Sequence, residues 1–92
     1  MNAFRLEISP TLSGVLRHLP PDLKRSVKSA LRAIAGNPEL GQPLRRELEG
    51  LWKYRVRRFR IIYSIHREER IIRILAVGHR TGIYEQAAAQ IK

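Results

Sequence analysis

The amino-acid sequence predicts a small α+β domain in which a two-helix hairpin packs on an antiparallel sheet, in the order β-α-α-β-β-β with a short C-terminal helix. Three observations lead there. The first residues alternate between apolar and polar. The next segment carries two helical stripes separated by a Pro-Pro step. The second half is dense in aromatic and β-branched residues broken by short polar turns.

Phe4, Leu6 and Ile8 alternate with Arg5 and Glu7, the period of a strand with one buried face. Ser9 and Pro10 then supply an N-cap and a first helical residue, and Leu12, Val15, Leu16 and Leu19 recur at helical spacing until Pro20 and Pro21 stop the helix. From Asp22 onward Leu23, Val27, Ala30, Leu31 and Ile34 form one stripe, while Lys24, Arg25, Lys28 and Arg32 take the opposite side. Gly36, Asn37 and Pro38 end this second helix, because glycine favours a left-handed cap and proline cannot continue the hydrogen-bond ladder. Gly41 to Gly50 reads as a loop with a short strand at its centre. Leu51–Val56, Phe59–His66 and Ile71–Val77 read as three antiparallel strands, with Arg67–Arg70 as a polar hairpin turn. The tail from Tyr84 to Ile91, with Ala87, Ala88 and Ala89, reads as the last helix. This order puts the hairpin's helices on one face of the sheet.

The chain of 92 residues is the size of one domain spanning 1–92, with room for one compact core. Eighteen Lys and Arg against eight Asp and Glu give a formal charge of +10. Such a field attracts polyanions, so the expected partners are nucleic acid or an acidic protein. The absence of cysteine excludes disulfides and thiolate-bound metal, and His18, His66 and His79 show no ligand spacing, so neither metal nor cofactor is expected. The N-terminus does not read as a charged start followed by an apolar run, and no stretch approaches the roughly 20 apolar residues of a bilayer span. Neither helix of the hairpin carries the bulky aromatic anchors of a membrane-surface helix. The expected location is the cytoplasm, with no membrane partner.

Lys53, Arg55, Arg57, Arg58 and Arg60 place five cations within eight consecutive residues. Strand alternation puts Lys53, Arg55 and Arg57 on one face and Trp52, Tyr54 and Val56 on the other. One side of the sheet therefore meets the helices and the other presents guanidinium groups, whose rigid forks of donors suit phosphate. No carboxylate lies between Glu49 and Glu68 to relieve the repulsion of like charges on neighbouring strands. A bound polyanion removes that cost, which favours a binding role over a merely solvated face.

The run Leu48-Glu49-Gly50-Leu51-Trp52-Lys53-Tyr54-Arg55-Val56, then Phe59-Arg60-Ile61-Ile62-Tyr63, then Val77-Gly78-His79-Arg80 and Ile83-Tyr84, resembles the RelE/ParE superfamily of type II toxin-antitoxin toxins. The preceding helical hairpin with its Leu-Pro-Pro turn is also similar, so the resemblance covers nearly the whole chain. It implies a RelE-like fold and, for the RelE-type branch, a ribosome-dependent endonuclease that cuts messenger RNA in the decoding site without a metal. Carried over by position, it implies catalytic roles for Arg55, Arg57, Arg60, Arg80 and Tyr84, with Lys53, Arg58 and His79 as further RNA-binding residues. The 2′-hydroxyl attacks the adjacent phosphorus, leaving a 2′,3′-cyclic phosphate and a free 5′-hydroxyl. The implied partners are a cognate antitoxin in a toxin-antitoxin hetero-oligomer, the ribosome and messenger RNA.

The chain departs from the family pattern at two points. Arg55 and Arg57 stand where the best-known members carry lysines, one of them a candidate general base, and a guanidinium does not give up its proton at accessible pH. Gln42 stands where another branch carries a glutamate just before the Pro-Leu pair. The base remains open among His79, an imidazole of the kind that moves protons near neutral pH, and Lys53, Glu47 and Glu49. Two other readings also remain: a ParE-type inhibitor of DNA gyrase on the same fold, and a nucleic-acid-binding module without catalysis. The grouping of His79, Arg80 and Tyr84 favours the RNA-cleaving one.

Overall fold

A computed structural model describes residues 3–79 and 82–90. The alternating N-terminus forms β1 (Arg5–Ile8), followed by α1 (Pro10–Arg17) and α2 (Pro21–Gly36). Ser9 caps α1 as its side chain predicts, its hydroxyl accepting from the Leu12 amide at 3.2 Å. Pro20 caps α2 without a side-chain bond, and the helix ends at Asn37, whose side chain accepts from the Glu39 amide at 3.3 Å. Single 3₁₀ turns occupy Pro38–Leu40 and Arg46–Leu48. The strand expected at the centre of the 41–50 loop lies at its start, as β2 (Gln42–Pro43). Then come β3 (Leu51–Val56), β4 (Phe59–His66), β5 (Ile71–Gly78) and α3 (Ile83–Gln90).

The five strands form one sheet in the order β1-β5-β4-β3-β2. β2 to β5 are antiparallel neighbours, as expected of a meander, while β1 lies parallel to β5 with Arg5 opposite Ile71 and Ile8 opposite Ile74. The parallel edge makes the sheet mixed. A β-bulge interrupts the β4–β5 ladder, where Ile62 faces Ala76 but Tyr63 faces Ile74, leaving Leu75 unmatched. Leu75 and Ala76 therefore both turn to one face, while Ile72, Ile74 and Val77 turn to the other.

Each face buries its own apolar cluster. On one, Leu12 of α1 and Val27, Ala30, Leu31 and Ile34 of α2 pack on Val56, Ile61, Tyr63, Ile72, Ile74 and Val77. On the other, Ile83 and Ala87 of α3 cover Leu51, Ile62, Leu75 and Ala76. The second face is thus not wholly basic, as alternation along β3 alone suggested. The apolar residues of β4 and β5 that do not face the hairpin need a cover of their own, and α3 supplies it. That cover leaves the cationic part of the face beside it.

Candidate nucleic-acid interface

Because Trp52, Tyr54 and Val56 pack toward the helical hairpin, the side chains of Lys53 and Arg55 leave β3 on the opposite face. Arg60 joins them from β4, since it is the residue directly across from Arg55. The three cations share one open cleft of about 300 Å³, whose remaining lining comes from Leu40, Gly41, Gln42 and Tyr54. Directly opposed like charges weaken a strand pair. Among the described residues no ion pair relieves Lys53, Arg55 or Arg60; the acidic partners sit elsewhere, in the exposed pairs Arg25–Asp22, Arg67–Glu39 and Arg73–Glu7.

The 40–42 side of the cleft is held from inside the protein. The ring of Tyr63 on β4 is fully buried. Its hydroxyl donates to the Pro38 carbonyl at 2.7 Å and accepts from the Gly41 amide at 3.1 Å. Burial raises the hydroxyl's pKa above the ordinary tyrosine value of 10.0, the Gly41 hydrogen bond pulls the other way, and the neighbouring Tyr54 adds to the rise. β2 follows directly, with Gln42 paired to Lys53.

Of the remaining sequence-predicted residues, those that are described do not line this cleft. Arg57 does not share the strand face of Lys53 and Arg55. β3 ends at Val56, and Arg57 and Arg58 form the two-residue turn to Phe59. Arg57 there has φ 57°, the left-handed conformation that short hairpin turns require and that glycine supplies more cheaply. Alternation fails at that point because the chain reverses. Exposed His79 rests its ring on Phe59, with centroids 4.4 Å apart, next to Gly78, which lies opposite Arg60. Tyr84 is half-buried and packs on the cluster under α3, and it is not part of the cleft lining. Arg80 lies outside the described residues. Leu40, Gly41 and the Tyr63 hydroxyl are the parts that sequence reasoning did not find. The Pro38-to-Gly41 turn was legible as a helix stop, but nothing local in the sequence says that a tyrosine from a distant strand reaches it.

Chemically, a lysine and two arginines converging on an open cleft can bind and neutralise a phosphate, and no carboxylate lines the cleft to oppose it. The hairpin, mixed sheet and terminal helix recur in solved toxins. A mutant of Escherichia coli toxin RelE in the free state shares the fold, with a TM-score of 0.81 at 20% identity over 98% of this chain and 99% of that one. The toxin-antitoxin complex RelBE2 of Mycobacterium tuberculosis contains a chain 32% identical, with a TM-score of 0.76 over 87% of this chain and 94% of its own length. In sequence, Toxin RelG of M. tuberculosis is 33% identical over 85 residues, 90% of this chain and 98% of RelG. Toxin RelE of the same organism is 29% identical over 83 residues, 88% of this chain and 86% of that toxin. The model of the ParE toxin of type II toxin-antitoxin systems, parDE, matches residues 12–84. The chain belongs to this RelE/ParE family of type II toxin-antitoxin toxins.

Proposed function

We propose that this toxin is a ribosome-dependent endoribonuclease that cuts messenger RNA and so stops translation. The observation that carries the reading is the cleft in which Lys53, Arg55 and Arg60 converge without a carboxylate. The 2′-oxygen of the RNA attacks the adjacent phosphorus while its proton passes to a base. The 5′-oxygen leaves and takes up a proton. A 2′,3′-cyclic phosphate and a 5′-hydroxyl result. Arg55 and Arg60 neutralise charge on the phosphorane, Lys53 holds the approaching phosphate, and Arg57 and Arg58 on the adjoining turn hold the flanking backbone. Arg80 stabilises or protonates the leaving oxygen, His79 contributes to RNA binding, and Tyr84 stacks on a base or orients the hydroxyl. Charge neutralisation falls to guanidinium groups here, so the step runs without a metal. A site without a strong base needs its substrate already bent, and the ribosome supplies that geometry.

We further propose a cognate antitoxin as the resting partner, by analogy with the RelBE2 complex and in keeping with the charge of +10. The antitoxin's acidic or amphipathic segment covers part of the sheet and helices, and co-expression of the two restores growth. Gyrase inhibition is the second reading, favoured by the parDE name of the matching family model. Primer extension on messenger bound to purified ribosomes, run beside a gyrase supercoiling assay, separates the two. Site-specific cuts with supercoiling unaffected are expected; intact message with gyrase poisoned overturns the ribonuclease reading.

A further inference from the structure

The Tyr63 hydroxyl has both of its partners, the Pro38 carbonyl and the Gly41 amide, on one short segment, and Leu40, Gly41 and Gln42 of that segment line the cleft together with Lys53, Arg55 and Arg60. With its proton given to Pro38 and a lone pair taken by the Gly41 amide, it is committed to this turn on both counts. Gly41 answers it sterically. A Cβ at that position would stand 2.5 Å from the Tyr63 hydroxyl and 2.4 Å from the Lys53 carbonyl oxygen, distances that side chains do not adopt. The backbone at Gly41 has φ −78°, open to any residue, so glycine is required by close approach and not by conformation. At its far end Gln42 pairs with Lys53 in the β2–β3 ladder, so the hydroxyl governs the Pro38-to-Gly41 turn that precedes this pair, and the other ties of that turn do less. The Asn37 contacts to Glu39 and Leu40 are internal to it, and the Arg67–Glu39 pair is exposed and therefore weak.

We propose that Tyr63 is a positioning residue of the cleft: its hydroxyl, seated against Gly41, fixes the Pro38-to-Gly41 turn, where the 38–42 wall leaves the β2–β3 ladder, relative to the cations on β3 and β4. An RNA strand entering the cleft is thereby held against Lys53, Arg55 and Arg60 in the orientation that in-line attack requires. This rests on the ribonuclease reading above. Attraction between the cations and the phosphates falls off slowly with distance and survives a shift of the wall. Orientation of the reacting atoms does not survive it, and displacements near 1 Å cost about 100-fold in rate. The clamp therefore acts on the chemical step and hardly on affinity.

The test is Tyr63→Phe, which keeps the buried ring and its stacking on Trp52 at 6.4 Å while removing the hydroxyl. Three quantities are measured at a temperature where thermal melts show the variant folded: amide exchange at Gly41, ribosome affinity, and single-turnover cleavage of ribosome-bound message. Gly41 exchange should accelerate at least about tenfold as its acceptor is lost, affinity should stay within about twofold, and cleavage should slow about 10- to 100-fold. Gly41→Ala, which pushes the wall from the other side, should reproduce the slower cleavage at equal affinity. Wild-type cleavage by Tyr63→Phe with a freed Gly41 amide overturns the proposal. So does a loss of rate that only tracks the folded fraction. A wild-type toxin that leaves the message intact sinks the ribonuclease reading itself, and the control lane distinguishes that failure from the others.

Discussion

Arg57 holds a left-handed backbone, φ 57°, at the tip of the β3–β4 hairpin, and Arg46 and Arg70 do the same in turns of their own. A side chain in that region costs about 1–2 kcal/mol, partly offset in a glycine variant by the roughly 0.5–1 kcal/mol of extra chain entropy that glycine loses on folding. Arg57→Gly should therefore raise stability slightly, by about 0.5–1 kcal/mol in urea melts, while weakening RNA binding. Unchanged binding would show that the turn keeps arginine for some reason other than phosphate. Tyr63 offers a second check. Its pKa is raised in the folded state above 10.0. The unfolded chain therefore releases this proton first as pH climbs, and the stability it contributes, whole below pH 10, drains away through the folded value. Stability measured from pH 9 upward should fall more steeply in the wild type than in Tyr63→Phe. Equal slopes would mean that the hydroxyl is not buried as described. At this scale the sequence showed the cations but not their geometry. Arg55 and Arg60 could be named as basic strand residues, whereas their direct opposition depends on a register that only the two-residue turn fixes.

The elements were more legible than the residues within them. Ser9-Pro10 marked the start of α1, the stripe from Leu23 to Ile34 marked α2, and the three meander strands lie within a residue of where β-branched content put them. Two features escaped for a physical reason. Parallel pairing of β1 with β5 joins segments far apart in sequence, and no local pattern records it. The bulge at Leu75 breaks the alternation by which a face would be assigned. That break matters because it gives α3 its seat. Of the described side chains of α3 only Ile83 and Ala87 are fully buried, so its seat rests on one large apolar side chain. Ile83→Ala should cost about 2–5 kcal/mol at that seat. Hydrogen exchange in α3 should rise well before exchange in the helical hairpin, whose packing lies on the other face. Uniform acceleration over the whole chain would show instead that both clusters open as one unit.

For the molecule as a whole, the formal charge of +10 was plain from composition, but its uneven use was not. The three ion pairs whose partners are described tie Arg25, Arg67 and Arg73 to carboxylates, whereas Lys53, Arg55 and Arg60 meet in the cleft without one. Arg25 and Arg32 project from α2, which packs on the opposite face of the sheet. If binding were a response to net charge alone, loss of any two arginines would weaken it alike. If the cleft is the site, the loss depends on where the charge sits. Each phosphate neutralised on a single strand contributes about −0.7 to the slope of log affinity against log salt. The three cleft cations thus predict a slope near −2 for a short single-stranded RNA, and the turn arginines Arg57 and Arg58 steepen it toward about −3.5. Removing Arg55 and Arg60 together should flatten the slope by about 1.4 and, on ribosomes, slow cleavage by about 100-fold or more, since each is a preorganised charge aimed at the phosphorane. Removing Arg25 and Arg32 should leave both quantities close to wild type, apart from a small loss of long-range attraction. The measurement is a fluorescence titration of a labelled oligonucleotide from 50 to 300 mM salt, paired with single-turnover cleavage. Equal flattening by the two double variants would remove the cleft from its assigned role and return the field of the whole surface as the source of binding.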